Sequence, residues 1–274
     1  MNEFTSLPAP PPYEFYETKN LNREDRYRNI IQKHEISHEF SNRLQILQGF
    51  KVVFIFDDSG SMNTVLQDSP LNTSNNLFRA TRWDELQYFA RISIEIATLF
   101  DPNGCDVYFL NRKPSPLRQV KNYAQLEEYF RVKPNGFTPL ARCLETVLAD
   151  NSNRSLTESK LLIIIATDGE PTNDTGKSDV RNFKSILKSR DRNCYTTVVV
   201  CTDDEDSVGY LNRWDRTIRN LDVVDDFRNE RNEIKKVKGH NYSFSFGDYV
   251  VKSLVGSIDP ELDKMDENNC CNIL

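Results

Sequence analysis

The chain of 274 residues is poor in the features that would assign it quickly to a large class of proteins. No apolar run approaches the roughly 20 residues of a spanning helix. The longest, Leu161 to Ala166, has the length of a buried strand. The 41 acidic residues against 35 basic ones leave no basic excess for nucleic-acid binding. The 6 cysteines do not read as a disulfide framework: Cys105, Cys143, Cys194 and Cys201 are scattered through apolar segments, where cysteine behaves as a small hydrophobe. The opening MNEFTSLPAPPPYEF has neither a basic n-region nor an apolar h-region, which predicts no secretory leader. A reducing, cytoplasmic setting follows as the expectation.

At about 150 residues per domain, the length allows one or two domains. Residues 1–18 are Pro-rich and predict a disordered lead; 19–48 predict a helical extension, with Ile30, Ile31, Phe40, Leu44 and Leu47 on one face. From Lys51 onward, short apolar strands alternate with helical stretches. Strands are expected at Lys51–Phe56, Cys105–Leu110, Lys160–Thr167 and Thr196–Thr202. Helices are expected at Trp83–Phe100, Pro139–Ala149, Val180–Lys188, Ser207–Leu221 and Phe246–Val255. Between them, Asn63 to Thr81 reads as a long polar loop and Arg228 to Lys238 as a charged connection. The alternation predicts an α/β fold, doubly wound around a mainly parallel sheet, over residues 50–257, followed by a flexible tail at 258–274.

Two of these strands end in acids: Phe56 gives way to Asp57-Asp58-Ser59-Gly60-Ser61, and Ala166 to Thr167-Asp168-Gly169. In an open α/β sheet, ligands bind beyond the carboxyl ends of the strands, where the strand order reverses. If the first and fourth strands are neighbours, Asp57 and Asp168 face one crevice, and two carboxylates that close call for a hard cation. Ser59 and Ser61 can both turn their hydroxyls to one side of a tight loop, with Gly60 allowing the bend. Thr138, in Gly136-Phe137-Thr138-Pro139, offers a third hydroxyl, with Pro139 placed as a first helical residue. Neutral oxygens with no nearby Cys or His suit Mg²⁺ better than Zn²⁺. Helix capping and turn formation would account for any one of these residues alone, though hardly for all five.

Asp57-x-Ser59-x-Ser61, the Gly-Phe-Thr-Pro loop and Thr167-Asp168-Gly169, in that order, resemble the metal-ion-dependent adhesion site of the von Willebrand factor type A domain. The resemblance spans about residues 50 to 257. It implies a Rossmann-like fold and Mg²⁺ or Mn²⁺ held by Ser59, Ser61 and Thr138, with Asp57 and Asp168 acting directly or through water. It also implies a partner protein whose acidic residue completes the coordination, and a binding module rather than an enzyme. The long stretch between Met62 and Trp83 departs from the family pattern and is expected to overhang the metal face; Glu170 and Asp174 lie beside the site.

Three further motifs stand apart. His34-Glu35-Ile36-Ser37-His38 matches HExxH, a zinc-protease pattern when carried on a helix, yet Leu44 occupies the place of a third histidine and the remaining His240 is far away. Other enzyme classes fail similarly: Ser59 stands where an Asp-x-Asp phosphatase needs its second Asp, and Gly-x-Ser-x-Gly is absent. Pro10, Pro11 and Tyr13 fit the PPxY pattern gripped by WW domains, so an adaptor recruiting WW-domain proteins such as HECT-type ubiquitin ligases is the alternative function. Cys271-Asn272-Ile273-Leu274 resembles a prenylation signal, with Cys270 available for palmitoylation. One lipid chain alone holds a protein weakly, so both cysteines would be needed for an anchor at the cytosolic face of a membrane.

Overall fold

The computed structural model describes residues 22–73, 78–152, 160–202, 209–263 and 265. Pro10, Pro11, Tyr13, Cys270 and Cys271 lie outside them.

Six strands, β1 (Phe50–Phe56), β2 (Cys105–Phe109), β3 (Leu117–Val120), β4 (Lys160–Thr167), β5 (Cys194–Val200) and β6 (Leu221–Val224), form one sheet in the order β3-β2-β1-β4-β5-β6. Every pairing is parallel except that of the edge strand β3 with β2. The helices are α1 (Arg23–Lys33), α2 (His38–Ser41), α3 (Arg82–Phe100), α4 (Glu127–Arg131), α5 (Leu140–Asp150), α6 (Val180–Ser189), α7 (Asn212–Asp215), α8 (Phe227–Lys238), α9 (Phe246–Val255) and α10 (Pro260–Asp263). This is the doubly wound α/β architecture expected from the alternation of elements.

Continuous apolar strands are what a sheet buried on both faces requires. Along β4, Leu162, Ile164 and Ala166 join one core with Phe54 and Phe56, beneath α3 and α9, while Leu161, Ile163 and Ile165 join a second with Val53 and Ile55, beneath α5, α6 and α7. The N-terminal helices close the first core: Phe40, Leu44 and Leu47 are fully buried in it, and the Ser37 N–H donates to Asp248 of α9 at 2.7 Å.

Three expectations are corrected, and one strand was not foreseen. The Arg228 to Lys238 connection is the helix α8. Its buried stripe is Phe227, Glu230 and Ile234, and the glutamate, paired with Lys252 at 2.6 Å, masks the apolar periodicity. The expected helix Ser207–Leu221 is reduced, among its described residues, to the short α7, after which the chain enters β6. Leu211, Trp214 and Ile218 are buried at helix-like spacing, and Asn220 at φ 53 turns the chain into the strand. The short strand β3, with Arg118 and Gln119 exposed, has no apolar alternation to betray it. Pro139 caps α5 from outside rather than opening it.

The HExxH segment is not one helix. α1 ends at Lys33, Glu35 turns at φ 52, and α2 begins only at His38. His34 is buried with its Nε2 2.8 Å from Glu95, so the two histidines do not share the face that a zinc site needs.

Candidate metal centre

Strand order reverses between β1 and β4, the place where open α/β sheets bind ligands. The register Phe56↔Ala166 sets the two strand ends level, and the Asp57 N–H donates to the Ala166 carbonyl at 3.0 Å. Asp57 and Asp168, fully or almost fully buried, therefore emerge side by side.

One hydrogen-bonded set links four of the five residues expected from the sequence. Asp57 accepts from the Ser59 N–H at 2.8 Å and from the Thr167 hydroxyl at 2.6 Å. The Ser59 and Ser61 hydroxyls lie 3.0 Å apart, and Ser61 donates to Asp168 at 2.8 Å. Thr138, the fifth, is brought in through its backbone. Its carbonyl accepts from the Thr172 N–H at 2.9 Å, while Asn135 and Gly136 are hydrogen-bonded to Asp58 and Gly60 at 2.9 and 3.1 Å. Its loop thus bridges the segments that follow β1 and β4. Thr138 itself is buried.

The glycine that this geometry requires is Gly136. It sits at φ 116, and a Cβ there would lie 2.6 Å from the Asn111 side chain. Gly60 has no such need, since its Cβ would meet nothing closer than the Gly136 carbonyl at 3.9 Å. The bend after Ser59 is a 3-10 turn open to any residue, which corrects the expectation that Gly60 makes it possible.

Burial pushes the Asp57 carboxyl up, and the neighbouring Asp168 charge pushes further; hydrogen bonds from Thr167 and Ser59 oppose the rise, leaving it at about 7. Asp58, next in the chain, is differently supplied. It accepts from the Asn111 and Arg112 N–H groups at 2.8 and 2.9 Å and pairs with the Arg112 guanidinium at 2.9 Å, which lies 4.4 Å from the Trp83 ring.

The donor set fits a hard divalent cation. Two carboxylates and three hydroxyls offer oxygen alone, without the Cys or His that softer metals take. Glu170 and Asp174 stay outside the set, hydrogen-bonded to Ser178 and paired with Arg142.

Sequence reasoning missed Arg82 and Thr202. The Arg82 guanidinium reaches Asp168 at 2.7 Å and the Thr202 hydroxyl at 2.5 Å. The Thr81/Asp84 capping box could have placed Arg82 at the start of α3, though not its long-range partner.

The long segment before α3 is tied to the same end of the sheet. Asn63 donates to the Gly60 and Pro134 carbonyls, Val65 bridges Thr81, and Leu66 and Ala80 are buried.

No family model matches the chain, and no curated protein matches it in sequence. Among solved structures, the manganese-loaded TRAP protein of Plasmodium vivax is similar at 16% identity and a TM-score of 0.39, over 68% of this chain and 72% of that one. The pilus adhesin SpaC of Lactobacillus rhamnosus GG is similar at 14% identity and a TM-score of 0.41; 81% of this chain matches 31% of the adhesin, so the chain spans about a third of its length. Both likenesses are distant, and the chemistry of the site rests on its own side chains. The three segments that carry the resemblance to the von Willebrand factor type A domain stand together at one end of a doubly wound α/β sheet.

Proposed function

We propose that the chain is a protein-binding module that depends on a divalent cation, Mg²⁺ or Mn²⁺, held by Asp57, Ser59, Ser61, Thr138 and Asp168. One observation carries the reading: two buried carboxylates stand at the switch point with the Ser61 and Thr167 hydroxyls donating to them, Ser59 beside Ser61, and among the described residues one cationic side chain, Arg82, paired with Asp168. When bound, the cation would offset the repulsion between the carboxylates and accept an oxygen from outside. Three neutral donors out of five leave it electron-poor, which favours a carboxylate as the incoming ligand.

The surroundings favour a protein as the carrier of that carboxylate. Of five large hydrophobic side chains exposed among the described residues, Val65, Phe78, Val132 and Phe137 lie on the segments that flank the centre. Phe137 adjoins Thr138, Val132 lies two residues before Pro134, and Val65 and Phe78 lie in the segment leading to Arg82. Exposed apolar side chains grouped around one site mark a surface that a partner can cover. Binding rather than catalysis is the reading.

Calorimetric titration of the full chain with MgCl₂ and MnCl₂ tests this. Wild type is expected to bind one cation, while Asp57→Ala and the pair Ser59→Ala, Ser61→Ala are expected to bind none and to keep the circular dichroism of the wild type. Absence of binding by folded wild-type protein overturns the assignment. The location at the cytosolic face of a membrane and the recruitment of WW-domain proteins are separate proposals from sequence motifs. Cys271→Ser should shift the protein to the soluble fraction, and Tyr13→Ala should eliminate WW binding in a peptide assay.

A further inference from the structure

Arg82 is the cationic side chain paired with the candidate centre, and its position is held from several sides. Its backbone N–H donates to the Thr64 carbonyl at 3.0 Å, and it opens α3 immediately after the capping residue Thr81. The nearly buried guanidinium forks between Asp168, at the end of β4, and Thr202, just past β5. Asp168 consequently has both oxygens engaged, Oδ1 by Ser61 and Oδ2 by Arg82.

With both carboxylates ionised, the form that would hold a cation, the charges at this end of the sheet do not balance. Asp57 and Asp168 with Arg82 then sum to one net negative charge, and a divalent cation would turn that into one net positive charge. Without Arg82 the same acids would carry two negative charges, and the loaded centre would be neutral. Cation affinity rises with the negative charge of the ligand set, whereas attraction for an outside carboxylate rises with the positive charge of the loaded centre. The two requirements pull in opposite directions, and Arg82 sits where it shifts both.

We propose that Arg82 sets the balance between them: its pairing with Asp168 weakens cation binding and strengthens the capture of a partner's carboxylate by the loaded centre. This rests on the metal-dependent reading above and adds a specificity-determining residue to it. An arginine that merely tied β4, β5 and α3 together would act differently, since its loss would loosen the centre and lower both affinities.

The test uses the full chain as wild type, Arg82→Gln and Arg82→Lys, each checked by circular dichroism. MnCl₂ is titrated calorimetrically, and acetate is then titrated into the Mn²⁺-loaded proteins, its binding read from the relaxation of water protons at the ion. Arg82→Gln should bind Mn²⁺ about tenfold more tightly and acetate about tenfold more weakly. Arg82→Lys, which keeps the charge but cannot fork between Asp168 and Thr202, should move both affinities in the same directions by less, about threefold. If Arg82→Gln fails to fold, Arg82→Lys carries the test. Both affinities falling together, or both staying within about twofold of wild type in a folded variant, overturns the role of Arg82 and leaves the metal site standing. Wild type that binds no Mn²⁺ overturns the metal-dependent reading, and this inference with it.

Discussion

Two pairs of acids in this molecule have opposite fates. Toward one edge of the sheet, Asp106 and Asp150 are matched by Lys51 and Arg118: Lys51 reaches Asp106 at 2.7 Å, and Arg118 spans Asp106 and Asp150 at 2.9 and 2.7 Å. At the β1 and β4 ends, the described residues place one basic side chain, Arg82, against Asp168 and pair none with Asp57. Even Asp58, adjacent to Asp57, has an arginine of its own. Buried carboxylates are costly unless compensated, so a pair left a charge short at the switch point, where Asp58 and Asp106 nearby are matched by bases, is consistent with the proposed use of that pair in binding.

The comparison breaks most severely if the underneutralised pair shows no special chemistry. Asp57→Ala should lose Mg²⁺ binding entirely, whereas Asp106→Asn should leave it intact while lowering stability; equal metal affinity in the two variants would remove the distinction. A smaller effect is expected at the neighbouring matched acid. Arg112→Met strands the buried Asp58 carboxylate and should cost about 3 kcal/mol in urea denaturation. A cost below about 1 kcal/mol would show that the Asn111 and Arg112 N–H groups suffice to hold Asp58.

Much of this contrast could be read in the sequence before the structure, and the rest for definite reasons could not. Strands β1 and β4 are legible because both faces are buried, leaving unbroken runs that end in Asp57 and Asp168. The hydroxyls of Ser59 and Ser61 follow from their spacing. Illegible were the residues whose role depends on distant partners: Arg82 reaches across 86 positions to Asp168, and Arg112 across 54 to Asp58. Elements were lost where a polar residue occupies a core position, as Glu230 does in α8, or where a strand is too short to show a period, as with β3. The N-terminal helices read as an extension because local amphipathicity says nothing of what the apolar face covers. In the structure, Phe40 and Leu44 pack into the main core.

The two kinds of acid should also respond oppositely to pH in the metal-free protein. Asp57 is held near 7, above its ordinary value, so the native state retains a proton that the unfolded chain releases. Its stabilising contribution is complete below the ordinary carboxylate value and is lost as pH rises through about 7. For Asp106, burial raises the carboxyl, but hydrogen bonds from Lys51, Gln119 and Arg118 outweigh it and hold the group below its usual value. Its contribution is present above the ordinary value and disappears as pH falls through the depressed one. Urea denaturation in EDTA should show a stability loss between pH 5 and 8, about 3 kcal/mol, that Asp57→Asn removes. An unchanged slope in that variant would place the proton elsewhere.

The smallest expected effect on stability sharpens the functional side of the contrast. Phe137 is about half exposed, next to Thr138, with its ring against Gly176, which at φ 78 has no Cβ to displace it. Burying little, it should contribute little to folding, and Phe137→Ser should shift stability by less than about 0.5 kcal/mol. Under a bound partner an aromatic side chain has a different value: exposed in the free protein, it loses its contact with water only when the partner covers it. Phe137→Ser should therefore leave Mn²⁺ affinity unchanged and weaken the metal-dependent partner about tenfold or more. Partner binding equal to wild type would confine recognition to the charged centre, and make the apolar side chains around it incidental to what the carboxylates do.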